Sequence, residues 1–455
     1  MRVKIFFFLP CFYMMFTSCK KFLDVKEPPT HVLTSSVFSN NETAISAVTG
    51  LYSEMSRLNL NIMNGGLTLY PALSADELYN TSPSIEYDAF HTNSLLSTTT
   101  IGLGRLWTQG YRNIFHANSI IEGLNNSISI NDSVKARLLG EILVIRAMNY
   151  FFLTQLFGDV PLQLSTDYRK NSVMPRTNDT AVMNQVKADL VEAKDFLPNT
   201  WISDNRTRIN KWAALALLAR VHLYLGDWTA AESVSTLIIQ SGQFSLVNNL
   251  NNVFLPASTE TIWQLVRDNN NTAEGAHFIP ASITMKPAFA LTNNLLNGFA
   301  MNDQRKASWI KQNTISGQIY YYPYKYKVRA SMPITEYYVV LRLAEQILIR
   351  AEARTQQNKI IEAQQDINMV RQRAGLGLTS ANDQSSLLIA IANERQIELF
   401  AEFGHRWFDL KRTGRANAIL SVLKAPNWQL TDLLYPMLEY DLETNPFLIQ
   451  NPGYN

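Results

Sequence analysis

Asp76 and Glu77 stand side by side in a stretch that also carries Tyr79, Asn80, Tyr87 and Phe90, and this mixture admits two chemistries. Two carboxyl groups flanking a glycosidic bond can hydrolyse it, one protonating the leaving oxygen and the other acting as nucleophile or base. Adjacent residues rarely face each other across such a bond, so hydrolysis would need a partner from Glu86, Asp88, Asp268 or Glu274. Binding needs no such geometry. Asp76 and Asn80 can hydrogen-bond sugar hydroxyls while Tyr79, Tyr87 and Phe90 cover the C–H face of a ring. Asn269, Asn270, His277, Phe278, Arg305 and Trp309, with the run Tyr320-Tyr321-Tyr322, can complete the platform from a second stretch. A packed core competes for these aromatics. Trp263, alternating with Ile262 and Leu265, reads as inward-facing, the tyrosine run can line a β-edge, and Trp309, near Ser308 and Lys311, is open to either use.

Cys19 offers a different chemistry. Arg2 and Lys4 precede an apolar run from Ile5 to Phe16, and Phe16-Thr17-Ser18-Cys19 resembles the lipobox of bacterial lipoproteins. The run is shorter than the ~20 residues a membrane span needs. Cleavage before Cys19 would remove Cys11 with the signal, residues 1–18, and leave a single thiol for lipidation. No disulfide can then form within the chain.

That cleavage takes Arg2 and Lys4 from the 40 basic residues and nothing from the 38 acidic ones, leaving a formal charge of zero. Nucleic-acid binders carry a basic excess or stripe, so that class is excluded. The histidines His31, His91, His116, His222, His277 and His405 show no His-x-x-x-His or His-Glu-x-x-His spacing, and no metal or cofactor is expected. Phosphate-loop and Gly-x-Ser-x-Gly patterns are absent too.

The elements that must position these residues are mainly helical. Lys20 to Thr34, with Pro28 and Pro29, reads as a tether within a lipidated N-terminus of 19–39. Asn41-Glu42-Thr43 caps a helical pattern through Ala44, Ala47, Val48, Leu51, Tyr52 and Met55, and further patterns cover Leu106 to Leu124 and Val134 to Phe157. Lys211 to Leu225 and Trp228 to Ile239 form an αα-hairpin about Gly226-Asp227. Ala219, His222, Gly226 and Ala231 sit at tetratricopeptide-like offsets, with His222 a helix-packing residue, and the pattern returns over 335–373. Repeated hairpins imply an α-superhelical scaffold. Two stretches without helical period, Asn59 to Thr100 and 242–333, the latter with short β-like pieces, are expected to hold the binding chemistry.

The segment 393–412 carries Asn393-Glu394-Arg395-Gln396-Ile397-Glu398-Leu399 and Gly404-His405-Arg406-Trp407-Phe408-Asp409-Leu410-Lys411-Arg412, which resembles the hallmark of the SusD/RagB family of outer-membrane nutrient-binding lipoproteins. Cys19-Lys20-Lys21-Phe22-Leu23-Asp24 resembles the family's mature start, Arg146-Ala147 through Phe157-Gly158-Asp159-Val160-Pro161-Leu162 its first hairpin, and Asn445-Pro446 with Gln450 to Tyr454 its closing strand. Pro436-Met437 departs from the usual Pro-Ile-Pro. The resemblance implies a tetratricopeptide-like superhelix carrying an irregular, loop-rich ligand subdomain, with an N-terminal region over 40–241 and a C-terminal region over 242–455. It also implies a non-catalytic, surface-exposed lipoprotein of the outer membrane that delivers oligosaccharides to a SusC-type TonB-dependent transporter, or peptides as in the RagB branch. Read from the residues, Glu394, Arg395, Glu398, Arg406, Asp409 and Arg412 lie among Leu, Phe and Trp407. Such charges must pair when buried, which assigns the segment to fold maintenance.

Overall fold

A computed structural model describes residues 34–202 and 205–454, so Cys19, the signal and most of the tether lie outside the described residues. The helix Asn41–Arg57 is capped one residue earlier than expected: the Asn40 side chain accepts from Thr43 N at 3.0 Å, and Ala44, Val48, Leu51, Tyr52 and Met55 form the buried face. Helices Thr100–Asn126 and Asp132–Phe157 follow, and Asp179–Phe196 packs against the second of these. Arg146 Nε and Nη2 each donate to Asp189 at 2.8 Å across that contact.

The expected hairpin is formed by Lys211–Tyr224 and Trp228–Ile239, turning at Gly226 with φ +70°. A glycine suits this left-handed turn because it carries no Cβ. His222 Nδ1 lies 3.0 Å from Asp227 Oδ2, so its ring is satisfied at the packing position. Leu343–Gln356 and Ile360–Arg373 form a second hairpin. Ala219, Leu223, Ala231, Ile349 and Ala353 are buried together where the two hairpins meet, the close approach that small side chains permit.

Three two-stranded antiparallel ribbons complete the scaffold: β1 (Leu78–Asn80) pairs with β3 (Phe289–Leu291), β2 (Thr261–Leu265) with β6 (Tyr338–Arg342), and β4 (Ile310–Ile315) with β5 (Gln318–Pro323). β4 and β5 are joined by Ser316 and Gly317, both at positive φ (51° and 82°), the two-residue turn whose twist matches the strands. Trp263 is fully buried on β2, and one apolar core runs from Phe38 to Leu448 through both halves of the chain.

Two sequence expectations change. The stretch Asn59 to Thr100 is not irregular: it holds helices Gly66–Ser74 and Ile85–Thr92. Gly66–Ser74 is buried at every position and contains Pro71, so it shows no amphipathic period. Residues 445–454 form no strand; Asn451 Nδ2 instead donates to Phe157 O at 3.0 Å and Tyr435 O at 2.7 Å, clamping the chain end to the first hairpin. Among the described residues no helix is long and apolar enough to cross a membrane.

Candidate functional site

The hallmark helices, Gln384–Leu399 and His405–Arg412, carry their charges inward. Glu398 Oε1 accepts from Arg342 Nη1 at 2.6 Å and from Arg373, while Oε2 accepts from Arg305 Nη1 at 2.9 Å. Burial alone would raise the Glu398 pKa, but Arg373, Arg342 and Arg305 outweigh it and hold the carboxyl well below its usual range. Glu394, Glu260 and Glu402 join the same network, with buried Lys325. Asp409 takes Arg395 Nε at 2.7 Å and Arg412 Nε at 2.8 Å, and Arg412 reaches Glu352. Trp407 is fully buried and its ring lies 6.2 Å from that of Trp428. These pairings give the segment a structural job.

That network corrects several candidates for the ligand face. Asp76 is buried: Arg406 Nε and Nη2 each donate to it at 2.7 Å, and Asn294 Nδ2 at 2.6 Å. Arg305 is buried among Asp303, Glu394 and Glu398. Trp309, 0% exposed, donates Nε1–H to Leu250 O at 2.9 Å and packs on Phe254 and Phe400. Phe90 is equally buried, 4.6 Å from the Tyr70 ring and 5.5 Å from that of Tyr435. Phe278 is buried against Phe289. Asn80 has its amide consumed locally, donating to Ser82 O, Ser84 O and Asp88 Oδ1 and accepting from Ser82. Phe90, Phe278 and Trp309 stand in polar sequence contexts because their apolar partners come from other elements.

What remains accessible centres on the β1–β3 ribbon and its neighbour β5. Tyr79 is half-buried on β1, its ring 6.3 Å from that of His91, and Tyr320 on β5 lies near enough that its hydroxyl adds to the burial that raises the Tyr79 pKa. His91 Nδ1 sits 3.1 Å from Leu78 O, and burial with the nearby Lys424 pushes its pKa down to about 4, so the ring is neutral at physiological pH. Tyr87 is half-buried, edge-on to Phe289 at 4.9 Å. Tyr79, His91 and Tyr320 form a neutral aromatic surface with hydroxyl and imidazole edges.

Asn269 is exposed and Asn270 half-buried in the loop after β2, and no contact among the described residues links them to Tyr79. His277 is half-buried, its pKa pushed down to about 4 by burial with Arg105, Arg267 and Arg329 nearby. Sequence reasoning missed Asn271, which is buried and fixes this loop: Nδ2 donates to Ser331 O at 2.7 Å and Oδ1 accepts from Thr335 N and Glu336 N at 2.9 Å. Its place in the run Asn269-Asn270-Asn271 gave no signal to separate it from its neighbours. Lys325, Arg342 and Arg373 were also missed, although Glu394 and Glu398, four residues apart on one helix face, called for cations.

Comparison with known proteins places this architecture. Two family models match, one described as starch-binding associating with outer membrane over residues 21–223 and one described as the SusD family over residues 296–454. A SusD-like protein of Formosa agariphila is 25% identical, with 100% of this chain and 98% of the relative covered. The solved structure of a SusD-superfamily protein from Bacteroides vulgatus has the same fold at TM-score 0.81 and 21% identity, covering 91% of this chain and 99% of that one. A laminarin-binding SusD-like protein matches at TM-score 0.76 and 23% identity over 91% of this chain and 100% of its own. With the hallmark charges paired in the core and both ends matched, the chain belongs to the SusD/RagB family.

Proposed function

We propose that the protein is a surface-exposed outer-membrane lipoprotein, anchored through Cys19, that binds an oligosaccharide or polysaccharide nutrient and passes it to a SusC-type TonB-dependent transporter. The observation that carries the reading is the half-buried Tyr79 ring against His91, with the Tyr320 hydroxyl nearby, in a chain of this family. Flat rings flanked by neutral hydrogen-bonding edges suit a sugar, whose C–H face stacks while its hydroxyls stay free. The family description of starch binding in association with the outer membrane supports both ligand class and location. A laminarin-binding protein of the same fold supports the ligand class.

Binding without catalysis is favoured by the two carboxyl groups. Asp76 is held by Arg406, and the buried Glu77, its pKa pushed up to about 8 by burial and by Asp76, accepts from Ala401 N at 3.4 Å. Neither is presented to a cleft, as hydrolysis requires. A screen of the mature chain against glycans and peptides, with product analysis of each hit, tests the reading. Glycan binding without cleavage is expected, whereas peptide-only binding or sugar release would overturn it.

A further inference from the structure

A cleft of about 810 Å³ runs between the turn of the Lys211–Ile239 hairpin and the hallmark helices, away from the aromatic surface. Four guanidinium groups line it, those of Arg395, Arg406, Arg412 and Arg415, against two carboxylates, Glu352 and Asp409. The local acids are already spent. Asp409 takes Arg395 Nε at 2.7 Å and Arg412 Nε at 2.8 Å, Glu352 takes both Nη atoms of Arg412 at 2.5 and 2.8 Å, and Arg406 is turned to Asp76. Two donors are left over. Arg395 is 1% exposed and its Nη1 has no partner, and the half-buried Arg415 side chain makes no hydrogen bond or ion pair among the described residues. Burial and the neighbouring Arg406 hold the Arg415 pKa below the ordinary arginine value against the opposite pull of Asp409, Asp76 and Glu352, carboxylates that are hydrogen-bonded to other arginines.

We propose that this cleft binds a sugar bearing an oxyanion, a carboxylate or a sulfate ester, with the anion on Arg415. The planar guanidinium fork matches two oxygens of either group. Half-buried Trp228 and exposed Ile389, at 57%, supply an apolar wall for the ring, and the volume suits one or two sugar units. The site is independent of the Tyr79 surface, so its failure leaves the glycan reading standing.

The test is calorimetry on the full mature protein in detergent with four probes: glucuronate, glucose 6-sulfate, glucose and sodium sulfate. Saturable binding of glucuronate or glucose 6-sulfate is expected, with none of glucose, and the tighter of the two names the anion. Arg415→Gln should weaken it at least tenfold and Arg415→Lys less. Ile389→Glu, at an exposed position that tolerates a charge, should also weaken it by repelling the anion while leaving the melting temperature unchanged. The proposal is overturned if glucose binds as well as the acidic sugars, if sodium sulfate binds as tightly as the sulfated sugar, or if neither Arg415→Gln nor Ile389→Glu changes the affinity.

Discussion

Replacing Arg406 with alanine removes both guanidinium donors from Asp76, leaving a buried carboxylate whose one remaining side-chain donor is Asn294 Nδ2 at 2.6 Å. Removing one member of a buried ion pair costs ~3–5 kcal/mol, because the surviving charge stays desolvated. With an unfolding entropy of about 2.1 cal/mol/K per residue, a chain of this size should lose ~3–6 °C of melting temperature. Adding Asp76→Asn removes the stranded charge, so the double variant should melt higher than Arg406→Ala alone. Differential scanning calorimetry on the wild type, both single variants and the double variant measures the coupling. An unchanged melting temperature in Arg406→Ala together with lost ligand binding would refute the reasoning and move Arg406 into the ligand site.

Phe90 and Tyr79 should separate stability from binding. Phe90→Ala empties a fully buried ring position and should cost ~3–5 kcal/mol in chemical denaturation, while Tyr79→Ala should stay within about 1 kcal/mol of wild type. Glu77 has a folded pKa raised to about 8, so its contribution is fully present below its unfolded value near pH 4.5 and is lost as pH rises through 8. Glu77→Gln should therefore raise the melting temperature relative to wild type at pH 8 and change it little at pH 4, by thermal melts in matched buffers. Cys19→Ala should release the protein from washed membrane fractions, since each buried acyl methylene contributes ~0.8 kcal/mol to anchoring.

The scaffold was legible because its signals are local. Gly226 marks the turn and Ala219 and Ala231 the close contact, and each of these follows from residue type at helical spacing. Hallmark charges were readable as paired because Glu394, Glu398 and Asp409 sit among apolar neighbours; Asp409 finds Arg395 and Arg412 within the segment, whereas Arg305, Arg342 and Arg373, which hold Glu394 and Glu398, come from other elements. The ligand face was harder to read. Phe90 and Trp309 stand among polar neighbours in sequence, yet Tyr70, Tyr435, Phe254 and Phe400 close over them in space. Tyr79 comes close enough to feel the Tyr320 hydroxyl only because β1 pairs with β3 and β3 packs on β5, an arrangement that neither segment encodes alone.

Glycan binding at that meeting point is the central claim, and isothermal titration calorimetry on the mature chain with Tyr79→Ala, Tyr320→Ala and the double variant tests it most directly. Each stacking contact is worth on the order of 1 kcal/mol, so each single variant should bind the best glycan of a screen several-fold more weakly than wild type. The double variant should nearly abolish binding with the melting temperature unchanged, and for an uncharged glycan affinity should hardly vary between low and high salt. Full affinity in the double variant, or a loss matched by unfolding, would contradict the account.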